Sequence, residues 1–242
     1  MSIVYASDGL LSESRFQVTK YLHSHLDKNP AYCIVDVGGG ANPWYAHSQY
    51  VVDIVPVETR KTICGDLNDP LTWEKVRAVQ PDFIICTHLL EDVRDPFFIM
   101  AEMSRSAKAG YISMPTKHQE LSRQESIFYV GHCHHRWIYT LQGDVLKAIA
   151  KMPIVNYWAS AFSLFRKLCS VPYLTKRLDI LGLFWPAMPD LPWLDTKKGQ
   201  EPRELGFIWE NSFSWECINS DYAGGNYKEL ANLYMHELRD GL

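Results

Sequence analysis

Two stretches of the chain hold the residue types that chemistry needs. In "IVDVGGGANPWYAHSQYVVDIVP", Ile34 to Pro56, an apolar run carrying Asp36 meets Gly38, Gly39 and Gly40, and a second apolar run ends in Asp53. Consecutive glycines leave backbone N–H groups uncovered and admit positive φ, so a ligand can lie directly against the main chain. The second stretch is a set of histidines: His88 in "CTHLLEDVRDP", and His132, His134 and His135 in "GHCHHRW". An imidazole titrates near neutral pH, which suits it to take the proton of an alcohol nucleophile.

The glycine spacing discriminates between ligands. A dinucleotide turn would read G-x-G-x-x-G, but Pro43 stands where the third glycine belongs. The pattern met instead is an acid, one residue, then G-x-G-x-G, with Asn42 in the last place. Asn is the residue besides glycine that best tolerates the left-handed region. Asp36 and Asp53 suit an amino-acid-bearing nucleoside better than a phosphate.

This pattern resembles that of the class I S-adenosylmethionine-dependent methyltransferases, and further family elements follow in order. Asp53 stands where the family's acid accepts hydrogen bonds from both ribose hydroxyls, with Ile54 beside it. "CGDLND", residues 64 to 69, resembles the element in which an aspartate, here Asp66, holds the adenine amino group and Leu67 offers a backbone N–H. "FIICTHLLEDVRDP", residues 83 to 96, resembles the strand-to-helix corner that many small-molecule methyltransferases write S-H-x-L-E-H-x-x-D-P, with Asp92 where the second histidine is usual. The resemblance spans residues 30 to 116. It implies S-adenosyl-L-methionine as cofactor, contacted by Asp36, Gly38, Gly39, Gly40, Asn42, Asp53, Ile54, Asp66, Leu67 and His88.

Methyl transfer is an in-line displacement, so much of the rate can come from holding the acceptor in line. His88, at the carboxyl end of a strand, and His135 are the expected catalytic groups. Glu91, Lys117 and Arg136 are expected to contact the acceptor, Arg136 by pairing with an acidic or sugar group. Plainer readings stand beside these: Glu91 as a cap or helix-dipole partner, and "GHCHHRW" as a turn before the strand "RWIYT". No helical H-x-x-x-H or distant C-x-x-C accompanies the histidines, so no metal site is expected.

The implied activity is methyl transfer to a hydroxyl of a small molecule or glycan. The glycan hint comes from "KAGYISMPTKHQE", "GHCHHRWIYT" and a late "FIWENSF", which are similar to methyltransferases of surface-polysaccharide pathways. The alternatives are an NAD-dependent oxidoreductase or epimerase, and a cofactor-binding scaffold of the same fold without turnover.

Such residues need a frame to converge. Continuous apolar runs at 31–37, 50–55, 82–87 and 109–115 read as strands buried on both faces, and helical spacing is read at 8–28, 69–80 and 95–110, the last closed by Gly110. Strand alternating with helix implies an α/β fold with a doubly wound, mostly parallel sheet, Rossmann-like in its methyltransferase form. Only a short first helix fits between Gly40 and Tyr50. Residues 141–151 read as a helix, and 205–219 as a hairpin supplying the family's antiparallel last strand. The final stretch from Tyr227 again has helical spacing.

The whole chain, 1–242, reads as one methyltransferase domain: a cofactor-binding core at 30–116, an acceptor-side insertion or lid of helical and irregular structure at 117–204, and terminal strands and helix at 205–242. The aromatic, proline-rich segment 157–193 is charged at Arg166, Lys167, Lys176 and Arg177, which excludes a bilayer span; it reads as the insertion's own core or a homodimer interface. The 24 basic and 28 acidic residues are interspersed, so nothing argues for nucleic acid. Six cysteines without a C-x-x-C pair, and no leader-like start, lead to the expectation of reduced thiols and a cytoplasmic protein.

Overall fold

The computed structural model describes residues 2–40, 45–58, 60–120, 131–151 and 203–218. In chain order these form β1 (Ser2–Leu10), α1 (Leu11–Leu26), β2 (Ile34–Val37), β3 (Tyr50–Asp53), β4 (Lys61–Cys64), α2 (Pro70–Ala78), β5 (Phe83–Thr87), α3 (Pro96–Ser106), β6 (Ala109–Pro115), the single turn α4 (Lys117–Glu120), β7 (Trp137–Gln142), β8 (Val145–Ala150), β9 (Arg203–Glu210) and β10 (Ser214–Cys217).

Seven strands make one sheet in the order β4-β3-β2-β5-β6-β9-β1. Strands β2 to β6 are parallel, and β9 runs antiparallel to both β6 and β1. The chain steps outward from β2 to β4, then returns to β5 on the other side of β2. That reversal opens a crevice beyond the carboxyl ends of β2 and β5, where open α/β sheets bind ligands. The doubly wound, mostly parallel fold is therefore as expected, and β9 is its reversed strand.

The strands are apolar on both faces because both are covered. Val35, Val37, Ile84, Cys86, Ile112 and Phe207 pack under α2 and α3, with Trp73, Val76, Ile99 and Met103. Ile34, Phe83, Ile85, Tyr111 and Ile208 face α1 through Val18 and Leu22. The helices α2 and α3 both begin with Asp-Pro: Asp69 accepts the Leu71 N–H at 2.9 Å and Asp95 accepts the Phe98 N–H at 3.0 Å. Proline in the first turn forfeits no helical hydrogen bond. Each cap fixes the point where the chain leaves the crevice side of the sheet.

Several local expectations are corrected. The helix expected from residue 8 begins at Leu11 and is preceded by β1, whose alternating half-exposed pattern marks a sheet edge. The helix expected to run to Gly110 ends at Ser106, and Gly110 lies inside β6, where a Cβ would come within 2.6 Å of the Ile84 carbonyl and the Trp209 ring. Residues 141–151 form the β7–β8 turn and β8 rather than a helix. Gly143, at φ 58°, makes the reversal between paired Gln142 and Val145. Residues 205–219 are not a hairpin, because both edges of β9 are already occupied by β1 and β6. Asn211, at φ 64°, turns the chain away, and β10 joins a second sheet, β10-β8-β7, parallel to β8.

Between β2 and β3 the described residues 45–49 are irregular, and the short first helix expected there falls partly on residues outside the described ones. The aromatic segment 157–193 and the final helix also lie outside the described residues. No described helix is long and apolar enough to cross a membrane.

Candidate active site

The glycine turn leaves β2 directly above the crevice. Gly38 and Gly40 have φ of 73° and 54°, a region that side-chain-bearing residues rarely adopt. A Cβ at Gly38 would meet the Leu89 side chain at 2.8 Å, so the turn touches the corner that follows β5. At Gly39 a Cβ would come within 2.6 Å of the Asp36 carboxyl carbon. The Asp36 carboxylate thus lies against bare backbone, and only glycine fits.

Asp36 is buried, and both of its carboxylate oxygens lack a hydrogen-bond partner among the described residues. Burial raises its pKa to about 7, against the opposing pull of Arg60 and Arg15. An unpaired buried carboxylate costs several kcal/mol unless something cationic or donating meets it. Asp53 ends β3 on the far side of the turn: its Oδ2 lies 3.7 Å from the position of a Cβ on Gly40, and its Oδ1 accepts the Val55 N–H at 3.1 Å. Ile54 is 73% exposed beside it.

The remaining nucleoside-side residues have local duties. Asp66 Oδ1 accepts from the Asn68 backbone at 2.8 Å and its side-chain amide at 3.1 Å, shaping the turn after β4. The Leu67 carbonyl receives the Trp73 indole N–H at 2.8 Å, and its side chain packs in the core. Asn42 lies outside the described residues. Tyr45 packs in the core against α1.

His88 occupies the carboxyl end of β5 in the left-handed region, φ 49°. Strain of this kind in a non-glycine residue concentrates at functional sites. Its Nε2 is 2.8 Å from Glu204 Oε2 and its Nδ1 is 3.3 Å from Glu91 Oε1. Both glutamates are buried. Burial acts against a charged ring, but the hydrogen bonds to Glu204 and Glu91 outweigh it and carry the His88 pKa up to about 9. At neutral pH the ring is an imidazolium, a different state from the neutral base expected.

Glu204 is the end of a longer polar chain. It accepts the Tyr111 hydroxyl at 2.7 Å, and Tyr111 in turn meets Ser14 Oγ on α1. Burial, reinforced by Glu204, pushes the Tyr111 pKa upward and keeps the phenol neutral. Neither Glu204 nor Tyr111 was foreseen, since no local pattern marks a contact between α1, β6, β9 and the β5 corner.

The small sheet holds that corner from the other side. The Tyr139 hydroxyl donates to the Leu90 carbonyl at 3.0 Å, the Arg136 and Trp137 N–H groups donate to the Glu91 carbonyl at 2.6 and 3.2 Å, and the Trp137 indole donates to Val93 at 3.1 Å. Arg136 is therefore brought beside Glu91, with its side chain exposed. His135 is nearly buried; its Nδ1 is 2.5 Å from Glu120 Oε1, and Glu120 also takes Lys151 Nζ at 2.6 Å. Burial opposes charge on His135, but the Glu120 carboxylate, with Glu91 and Asp92 beyond, raises its pKa. Burial would raise Glu120 too, yet His135 and Lys151 hold it below the ordinary carboxylate range. Lys117 lines a separate cleft of about 200 Å³ with Asp8, Thr116, Tyr139, Thr140 and Leu205.

No family model matches the chain, and no curated protein does. Among solved structures it is similar to the N-terminal domain of EvdMO1 with SAH bound, at 9% identity, 79% of each chain and a TM-score of 0.35. It is also similar to a candidate sarcosine dimethylglycine methyltransferase from Galdieria sulphuraria, at 12% identity, 83% of this chain, 86% of that one and a TM-score of 0.37. A third is an S-adenosylmethionine dependent methyltransferase from Mesorhizobium loti, at 12% identity, 73% of this chain, 89% of that one and a TM-score of 0.27. Likenesses this loose bear on neither cofactor nor acceptor.

Proposed function

We propose that the protein is an S-adenosyl-L-methionine-dependent methyltransferase acting on a hydroxyl of a small molecule or glycan. One observation carries the reading: at the switch point of a doubly wound sheet, a buried carboxylate without a partner among the described residues lies against a glycine turn that a Cβ would block. An amino acid's ammonium group answers that carboxylate, and Asp53, across Gly40, is placed for vicinal hydroxyls of a ribose. A dinucleotide's pyrophosphate would instead be repelled by Asp36.

The cofactor, when bound, supplies an electrophilic methyl group. The chain's part is to bind it through Asp36, Gly38, Gly39, Gly40, Asn42, Asp53, Ile54, Asp66 and Leu67, and to hold an acceptor oxygen in line. An alcohol loses its proton as the new bond forms. The His88, Glu91 and Glu204 cluster sets two carboxylates against one imidazolium at the carboxyl end of β5; with the ring already protonated, a carboxylate oxygen of the cluster would receive that proton. Arg136 flanks the site as an acceptor contact, and Lys117 would meet the acceptor only where it extends into the separate cleft. His135, held by Glu120, anchors the loop that presents Arg136 rather than acting as the base.

Isothermal titration with S-adenosylmethionine and S-adenosylhomocysteine tests the reading. Binding with one site per chain is expected, and absence of heat at high micromolar ligand would overturn it.

A further inference from the structure

The histidine loop gathers three imidazoles beside a carboxylate of the corner after β5. His135 N–H donates to the His132 carbonyl at 3.2 Å, closing a tight turn that brings the two rings to 4.5 Å between centroids, with His134 4.5 Å from His135. One donor nitrogen from each of the three lies within 4.8 Å of the others. Asp92, in the corner between β5 and α3, supplies a fourth donor. Its Oδ1 is 3.7 Å from His135 Nε2 and 3.9 Å from His134 Nε2, too far for hydrogen bonds. That oxygen is buried and has no hydrogen-bond partner among the described residues.

We propose that His132, His134, His135 and Asp92 form a binding site for one divalent transition-metal ion of the zinc class. Donors around a tetrahedral ion with bonds near 2.1 Å stand about 3.4 Å apart, so the two Asp92 approaches close by a few tenths of an ångström, and the histidine donors, within 4.8 Å of one another, by up to about 1.4 Å through ring rotation. Imidazole donors select zinc, cobalt or nickel over magnesium and calcium.

The surroundings supply the outer support such a site needs. A metal-bound histidine donates its other ring N–H to a carboxylate, which fixes its tautomer, and His135 Nδ1 faces Glu120 at 2.5 Å. Lys151 Nζ holds that carboxylate at 2.6 Å and the His132 carbonyl at 2.9 Å, so ligand, outer carboxylate and loop backbone are one unit. Gly131, at φ 62°, permits this closeness: a Cβ there would lie 2.3 Å from the Glu120 carbonyl. Four protein donors close the coordination sphere, so the ion is a clip that ties residues 131–136 to the corner after β5. The inference does not rest on the methyl-transfer reading.

Tag-free protein stripped with a chelator and titrated with cobalt(II) tests it. One equivalent is expected to give the strong visible absorption of a tetrahedral complex, bleached by zinc(II). His134→Ala, whose side chain is 56% exposed, and Asp92→Asn are each expected to weaken binding by more than about 100-fold, and Glu120→Gln by about 10- to 100-fold. Circular dichroism confirms that the variants fold. His23→Ala and His47→Ala alter a second histidine pair, rings 5.9 Å apart, and are expected to leave binding intact. The proposal is overturned if cobalt gives no tetrahedral band at about a tenfold excess, or if the band survives unchanged in both His134→Ala and Asp92→Asn.

Discussion

Asp36 is the residue whose environment makes the sharpest demands. Burial raises its pKa from 3.8 to about 7, so across that window the folded chain keeps a proton that the unfolded chain has released. Stability therefore falls as pH rises from about 4 to about 7. Asp36→Asn removes the titration: it is expected to flatten the stability profile and to exceed the wild type at pH 8 by on the order of 2 kcal/mol. Urea unfolding at pH 5 and pH 8 checks this, and parallel profiles would show that Asp36 does not titrate there. The same residue predicts the opposite for ligand. An ammonium beside Asp36 favours the carboxylate, so S-adenosylhomocysteine is expected to bind more tightly at pH 8 than at pH 6, and to release close to one proton on binding at pH 6 but little at pH 8. Asp36→Asn and Asp53→Ala are each expected to weaken binding at pH 8 by about 1.5 to 3 kcal/mol, the scale of hydrogen bonds to charged groups. Calorimetry in buffers of different ionisation enthalpy measures both.

Among elements, β9 delivers Glu204 to His88 from 116 residues further along the chain. The His88 pKa stands at about 9, above its ordinary 6.5, so the pair's contribution to stability is fully present below about pH 6.5 and is lost as pH rises through about 9. Glu204→Gln removes one of two facing carboxylates. It is expected to lower the His88 pKa by about one unit or more, read from the imidazole proton resonances, and to destabilise more at pH 6 than at pH 10. An unmoved resonance would place the ring away from Glu204. Local patterning made β2, β3, β5, β6, α2 and α3 legible, because continuous apolar runs and Asp-Pro caps are written within a few residues. Elsewhere the code was ambiguous or distant. In "DVLKAIAK" the apolar Val145, Leu146, Ala148 and Ile149 satisfy helical spacing as well as a strand, and the deciding feature is the φ of Gly143. β1 and β10 exist as strands through partners far off in sequence. The site divides in the same way: Asp36, the glycines and Asp53 belong to the ends of the consecutive strands β2 and β3 and could be read, whereas Glu204, Tyr111 and the Asp92–His135 approach depend on tertiary contact.

On the scale of the whole molecule, the sheet joins strands far apart in the chain, since β1 pairs with β9, which pairs with β6. The strands that carry the crevice are hydrogen-bonded into that same sheet, so a ligand bound at β2 and β5 is linked to unfolding of the unit as a whole. Ligand at about 100 times its dissociation constant adds about 2.7 kcal/mol to the folded state. For a domain of this size that corresponds to a rise in Tm of roughly 5 to 10 °C. Asp36→Asn, binding 10- to 100-fold more weakly, would at the same ligand concentration gain only about 0.4 to 1.4 kcal/mol. Calorimetric scans with S-adenosylhomocysteine are expected to show one transition that moves up in the wild type, and by half as much or less in the variant. Two transitions, of which only one responds to ligand, would mean that β1 and β9 do not unfold with the crevice strands. An equal shift in wild type and variant would take the ligand away from Asp36.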